Sequence, residues 1–357
     1  MFDPVDRGLL MSVERNGESV LLSPEVSVCV PTYRYGKYLT RTIESVLSQT
    51  LQNWELVICD DCSSDGTEEI CREYARKDPR VKYFLNDRRL GMFGNFRRTV
   101  EHSRAPFIKF LCADDWMHPE CLEVCLDLIR KYPSSNVVQA GCLDVDKEDR
   151  PIAIDQKFPR ALYRGRSMIF RQMCGLPASG GNSSYFIRKS AYYQVGGFDP
   201  SFPYSIDIYL VMCLCRIGDV VVTNRTLFYG RQHEDLRPHR AEEDMTPYIG
   251  GLELPRWVLR DAPLFGGKWW LKNLGIGRAG TDTLLLGVYR IIQGRLLMGM
   301  KLVQVVLQWG NPWWPILVAI PWRFVILGYW AFRRRMSSIP KSQVWKPKEP
   351  GWHKRAD

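Results

Sequence analysis

The chain has 357 residues and is 45% hydrophobic, a composition that excludes a disordered chain and suits about two domains with a large core. Its formal net charge of +10 points to nucleic acid, an anionic membrane surface or a phosphorylated substrate, and with no nucleic-acid-binding motif present, nucleic acid is not expected. The 11 cysteines are scattered, several inside apolar runs, and lack zinc-ligand spacing, so reduced and buried thiols are expected rather than a disulfide or zinc framework.

Residues 1–25 are charged, lack the apolar core of a secretory signal and read as a leader of uncertain order. From residue 26 strand-like and helix-like segments alternate. VSVCV (26–30) reads as a strand ended by Pro31. GKYLTRTIESVLSQ (36–49) places Leu39, Ile43, Val46 and Leu47 on one helical face. WELVICD (54–60) is the next strand, followed by Ser63, Ser64 and Asp65 as capping residues for a helix to about Ala75. VKYFL (81–85), a helix from about residue 93, FIKFLC (107–112), a helix from Pro119 to about Tyr132, and NVVQAGC (136–142) complete the rhythm. The alternation predicts an α/β fold with a mostly parallel sheet flanked by helices.

The rhythm breaks over 151–240, where Gly-rich stretches surround one apolar run, IYLVMCLC (208–215), expected to be a buried helix. A domain over 26–240 is therefore expected to lead into an irregular connector over 241–280. Residues 281–335 mix apolar runs with Trp313, Trp314, Trp322, Trp330 and several cations, and a basic tail follows over 336–357. Pro315, Pro321 and Arg323 interrupt the longest apolar run. Helices lying in the interface of an anionic membrane suit this pattern, with the tryptophans at headgroup depth; a helix pair packed on the domain is the alternative.

The most informative stretch is FIKFLCADDWMHP (107–119), an apolar run that ends in the paired carboxylates Asp114 and Asp115. Ligands of open α/β sheets bind at the carboxyl ends of strands. Two adjacent carboxylates repel each other unless a cation or hydrogen-bond donors stabilise them. A divalent metal holding a substrate phosphate explains the pair, and a helix cap is the plainer alternative. PTYRYGKYL from Pro31, DDCSSDGT from Asp60, NDRRLGMFGNF from Asn86 and CADDW would share one rim of such a sheet.

The run from VSVCVPTYRYGKYL to DDCSSDGT, with its spacing to CADDW, resembles the opening of a family 2 glycosyltransferase, a GT-A fold enzyme, and GGFDPSFPYSIDIYL (196–210) resembles the segment carrying that family's catalytic base. The resemblance covers about residues 26–235. It implies that Pro31, Thr32 and Tyr33 line the nucleobase pocket, that Asp61 accepts from the base, and that Gly91 and Asn95 belong to the loop approaching the donor. It further implies that Asp114 contacts ribose, that Asp115 binds Mg²⁺ or Mn²⁺ bridging the pyrophosphate, and that Asp207 is the catalytic base. His233 matches a further metal or pyrophosphate contact of some relatives, and Arg231 a neutraliser of diphosphate. Two departures stand out: Cys112 occupies a position where the family often has Asp, and Ile206 precedes Asp207 where the family often has Glu. Asp60 reads as shaping the strand end, and Asn182–Ser184 lie in a Gly-rich loop bordering donor sugar or acceptor.

The expected activity is metal-dependent, inverting transfer of a sugar from a nucleotide-diphosphate donor, UDP-linked, to an acceptor hydroxyl. The C-terminal region adds the expectation of a lipid-linked or membrane-proximal glycan acceptor and a place on the cytoplasmic face of a membrane. Two rivals share part of the pattern. A sugar-nucleotidyltransferase would carry a Gly-rich basic loop where this chain has PTYRYGKY. A nucleotide-binding scaffold or inactive relative in a membrane complex would not need Asp61, Asp114, Asp115 and Asp207 intact.

Overall fold

The computed structural model describes residues 12–15, 18–21, 23–154, 158, 161–174, 181–199 and 206–232, with short pieces at 253–255, 300–301 and 303–304. The predicted leader contains an antiparallel hairpin, β1 (Ser12–Arg15) with β2 (Glu18–Leu21). The chain then winds through β3 (Val26–Thr32), α1 (Gly36–Leu47), β4 (Trp54–Asp60), α2 (Thr67–Lys77), β5 (Val81–Leu85), α3 (Gly91–His102) and β6 (Phe107–Phe110). These four strands are parallel neighbours in the order β6-β3-β4-β5. The sheet therefore grows outward from β3 and then returns to its other side at β6, which creates a switch point between β3 and β6.

Alternation along each strand explains the two-faced core. Val26, Val28 and Val30 point to the side covered by α1 and α2, while Cys29 points to the side covered by α3. All seven residues of β4 are buried, as are all of β3 except Pro31, as expected of parallel strands covered on both faces. Burying each Val, Leu or Ile side chain here stabilises the fold by about 1.5–3 kcal/mol relative to exposure.

Pro31 does not end β3, contrary to the sequence expectation. The Cys29 carbonyl accepts from Leu111 N at 3.1 Å on the β6 side. Pro31, two residues on, faces the same side, but β6 pairing stops at the Cys29–Phe110 pair. A missing N–H at Pro31 therefore leaves no ladder bond unmade. Neither does any of Ser63, Ser64 and Asp65 act as N-cap of α2: Gly66, at φ +83°, holds that place. Asp65 instead accepts from Gly36 N and Thr67 Oγ1, tying the start of α1 to the start of α2.

Beyond β6 the sheet becomes mixed. A two-residue strand β7 (Trp116–Met117) precedes α4 (Cys121–Lys131), and β8 (Ser135–Val145) pairs antiparallel with β9 (Pro151–Ile154). β10 (Leu162–Tyr163), α5 (Gly165–Met173), a 3-10 turn at Asn182–Ser184, β11 (Tyr185–Arg188), α6 (Lys189–Gln194), α7 (Ile206–Ile217) and β12 (Asp219–Arg231) follow. β11 lies between β6 and β8 and runs antiparallel to both. β12 runs parallel to β8 and antiparallel to β7. The mostly parallel sheet expected from the alternation is thus parallel in its first half and mixed in its second.

α4 joins α1 and α2 on one face, and α5, α6 and α7 join α3 on the other. The buried helix expected over 208–215 is α7. Leu254, in the expected connector, is buried in the α3–α7 core. All 11 cysteines are free thiols. No helix among the described residues is long and apolar enough to cross a membrane. Nearly all of 281–335, all of the tail and His233 lie outside the described residues.

Candidate active site

The carboxyl ends of β3, β4, β5 and β6 open on one rim, and the loops there are cross-braced by side chains. Asp60, fully buried, accepts from Ser63 N at 3.0 Å, Ser63 Oγ at 2.5 Å and Tyr83 Oη at 3.1 Å, so it shapes the β4 end. Asp61 Oδ1 accepts from Leu90 N at 2.6 Å and Asn86 Nδ2 at 3.1 Å, and its Oδ2 accepts from Gly91 N at 2.9 Å. Asp61 therefore caps the loop at the start of α3, where Gly91 takes φ +74°, a conformation favouring glycine.

Asn95 is buried one turn into α3. Its Nδ2 donates to the Thr32 and Cys59 carbonyls at 3.1 and 2.9 Å, and its Oδ1 accepts from Asn86 Nδ2 at 3.0 Å. The amide is thus spent on holding three loops together from behind. At the mouth, Tyr33 lies 3.9 Å beneath the Arg89 guanidinium and 5.3 Å from that of Arg34. Thr32 Oγ1 is buried with no hydrogen-bond partner, an atom that a ligand on this rim could satisfy.

The carboxylate pair follows β6. The Asp115 amide donates to the Cys112 carbonyl at 3.1 Å, closing a tight turn over CADD. Thr42 Oγ1, on α1, lies 2.8 Å from the carbonyls of both Ala113 and Asp115 and pins the turn to that helix. Asp115 Oδ2 accepts from Ser183 Oγ at 2.5 Å, and its Oδ1 accepts from Arg231 N at 3.0 Å. Burial pushes the Asp115 carboxyl well above the ordinary carboxylate range and the charge of Asp114 pushes it further, against the opposing hydrogen bonds from Ser183 and Arg231. Asp144, on β8, adds to the repulsion, and its own carboxyl is raised by burial despite hydrogen bonds from Cys142 and Gln232.

These groups line a cavity of about 330 Å³ together with Cys112, Asn182 and Gly230. The donor atoms of Cys112, Asp114 and Asp115 all lie within 4.8 Å of one another. Two adjacent buried carboxylates suit a divalent metal, and the oxygen-rich donor set fits Mg²⁺ or Mn²⁺. A larger cavity of about 550 Å³ lies between the loop after β5 and α3, with Arg88, Arg97 and Arg98 on its walls.

Asp207 stands in the first turn of α7. Burial raises its carboxyl, against a hydrogen bond from Ile208 N at 2.9 Å. Its neighbours Ile208 and Tyr209 pack against the same apolar cluster as Cys112, which puts the start of α7 on that side of the sheet. The structure therefore brings Asp114 and Asp115 together in one cavity, with Asp207 buried at the start of α7 and Pro31, Thr32, Tyr33, Asp61 and Gly91 on the rim.

Arg231 lines the same cavity as Asp114 and Asp115. Its guanidinium donates to Asp149 Oδ1 at 2.7 Å and lies about 5 Å from the rings of Tyr38 and Trp116. Its Nε also donates to the Asp114 carbonyl at 3.4 Å, and its backbone amide meets Asp115. Sequence reasoning missed Asp144 and Lys109. Lys109 is fully buried in β6, and its Nζ donates to the Ser183 carbonyl. A lysine in the middle of an apolar strand was the one visible signal, since a buried cation needs a fixed acceptor.

Residues 27–193 match the family model described as Glycosyl transferase family 2. Among curated relatives, the chain is 28% identical to chondroitin synthase of Escherichia coli over 205 residues, covering 57% of this chain and 28% of that protein. It is 27% identical to glycosyltransferase GlyA of Streptococcus pneumoniae over 119 residues, covering 33% of this chain and 17% of that protein. The matches thus span less than a third of the length of either relative. Among solved structures, S. aureus TarS residues 1–349 with UDP-GlcNAc aligns with a TM-score of 0.58 at 18% identity, covering 72% of this chain and 73% of that one. The same fragment with UDP aligns with a TM-score of 0.55 at 20% identity.

Proposed function

The chain belongs to glycosyltransferase family 2, and from that premise we propose that it transfers a sugar from a nucleotide-diphosphate donor to an acceptor hydroxyl with inversion. The observation that carries this reading is the cavity holding Asp114 and Asp115 beside the rim of Thr32, Tyr33 and Asp61, with Asp207 buried at the start of α7. The TarS complexes with UDP and UDP-GlcNAc support a uridine nucleotide as the donor's leaving group.

In this reading Pro31, Thr32 and Tyr33 receive the base, and Asp61 accepts from it. Gly91 and Asn95 keep the loop before α3 in place, Asn95 through its bonds to the Thr32 and Cys59 carbonyls. Asp114 contacts the ribose. Asp115, with His233 from beyond the described residues, would hold Mg²⁺ or Mn²⁺. When bound, such a cation neutralises charge developing on the departing diphosphate. Ser183 Oγ and Arg231 N fix the Asp115 carboxylate in one orientation, so its position does not have to be reorganised during the reaction.

Asp207 takes the proton from the acceptor hydroxyl as the oxygen attacks the anomeric carbon. The bond from that carbon to the diphosphate oxygen breaks in the same step, and the configuration inverts. A carboxyl raised by burial is a stronger base than an exposed one once ionised.

The acceptor is proposed to be a lipid-linked or membrane-proximal glycan in polysaccharide or glycolipid synthesis. The Trp- and Arg-rich composition of 281–335 motivates both this and a place on the cytoplasmic face of a membrane. Co-sedimentation with anionic vesicles checks it: loss of binding on removing 281–357 is expected, and a truncated chain that still sediments contradicts it.

The activity is tested by measuring nucleoside-diphosphate release from a panel of sugar nucleotides, with Mn²⁺ or Mg²⁺ and then with EDTA. Release from one donor that stops on chelation supports the reading. Neither release nor binding of any donor rejects it.

A further inference from the structure

We propose that Cys112 is a direct ligand of the cation held by Asp115, making this a mixed thiolate–carboxylate site that takes Mn²⁺ or softer divalent ions in preference to Mg²⁺. The inference rests on the metal-binding reading given above and concerns what this chain does differently within it.

Three observations converge. The Cys112 sulfur and the carboxylate oxygens of Asp114 and Asp115 lie within 4.8 Å of one another, near enough for the sulfur and the Asp115 carboxylate to converge on a single ion. The backbone of Cys112 is held on both sides: its amide donates to Ser183 Oγ at 2.9 Å, and its carbonyl accepts from the Asp115 amide at 3.1 Å. The same Ser183 Oγ donates to Asp115 Oδ2, so one hydroxyl sets the spacing of the cysteine and the carboxylate. All three residues face the same cavity of about 330 Å³. Cys112 also stands where the sequence pattern would otherwise supply a carboxylate.

The consequence is chemical. Mg²⁺ is a hard ion that takes oxygen ligands and sheds water reluctantly, whereas thiolates favour softer first-row ions. Binding replaces the Cys112 S–H bond by a sulfur–metal bond. The thiol proton leaves to solvent, and no electron is transferred.

The test is Co²⁺ titrated into the full chain, alone and with UDP, and read by absorption. Co²⁺ bound through sulfur gives a thiolate-to-metal charge-transfer band in the near ultraviolet, which oxygen ligands alone do not give. The expected result is such a band in the wild type, its loss in Cys112→Ser and Cys112→Asp, and its persistence in Cys142→Ser, whose sulfur lines the same cavity. Thermal melting of each variant checks that the fold is kept. Visible cobalt bands without charge transfer would leave the metal site standing and overturn the thiolate. A band surviving in Cys112→Ser would assign it to another thiol and overturn the proposal. No cobalt binding in either condition would overturn both this inference and the metal reading beneath it.

Discussion

Ser183 Oγ reaches Asp115 Oδ2 at 2.5 Å across 68 positions of the chain. The hydroxyl sits on the 3-10 turn before β11, and the carboxylate on the turn after β6. Because β11 pairs directly with β6, the insertion of one antiparallel strand into the sheet carries the orienting group to the carboxylate. Lys109 secures the arrangement from below by donating to the Ser183 carbonyl.

Ser183→Ala removes the bond that orients Asp115 and the acceptor for Cys112 N. Loss of such a supporting bond costs about 10–100-fold in metal affinity or activity and about 1 kcal/mol of stability. Mn²⁺ titration and thermal melting of the variant check both. Unchanged metal affinity would show that Ser183 does not position Asp115.

Asp207→Asn keeps the shape of the side chain and removes its basicity. The rate constant for transfer should fall by about 10²–10⁴-fold while donor binding stays within twofold of wild type, roughly the limit of a neutral change. Burial raises the Asp207 carboxyl, and only the ionised form accepts a proton. The rate should therefore fall as pH drops through a value above the ordinary carboxylate range. The same shift has the opposite sense for stability: the contribution is full below the unfolded value and lost as pH rises through the folded one. A pH–rate profile with its acid limb at the ordinary carboxylate value would contradict the assignment.

Gly230 leaves room for the carboxylates. A methyl group there would sit 3.0 Å from Asp144 Oδ1 and 3.2 Å from Cys142 Sγ, tighter than most carbon contacts, and 4.0 Å from Asp115 Oδ1. Gly230→Ala should lower activity and destabilise the fold by about 1–3 kcal/mol, the usual range for overpacking. Denaturant unfolding measured beside donor turnover checks the two effects separately.

Much of the first half was legible because β3, α1, β4, α2 and β5 follow local rules: the strands are short runs rich in apolar residues, and a covering helix repeats its apolar residues every three or four positions. Asp114 and Asp115 stood out for the same reason, as charges ending an apolar run. The second half resisted because its structure depends on distant pairing. β12 contains TNR at 223–225, between its two pairing stretches with β8, and nothing local marks it as one strand. Asp144 and the Arg231 amide are ordinary in sequence, and Ser183 was marked only as part of a loop bordering donor or acceptor; each meets Asp115 only when β8, β12 and β11 bring it there. The pairing of the Arg231 guanidinium with Asp149 was likewise invisible, since 82 positions separate them.

Glu55 gives a pH test away from the site. Burial alone would raise its carboxyl, but Ser27 Oγ and the amide and guanidinium of Arg104 donate to it and hold it below the ordinary value. A lowered carboxyl contributes stability above its unfolded value that is lost as pH falls through the folded one. Glu55→Gln should cost about 1–2 kcal/mol at neutral pH, after allowing for the exposed Arg104 side chain. The deficit should shrink on acidification, and a deficit that instead grows would contradict this account.

The most direct test of the central claim, that Asp115 anchors a cation-dependent diphosphate site, is calorimetric titration of UDP into the full chain with Mn²⁺, with EDTA, and with Asp115→Asn in Mn²⁺. The account predicts binding that weakens by about tenfold or more on chelation and to the same extent in the variant. UDP binding that ignores both the metal and Asp115 would contradict it.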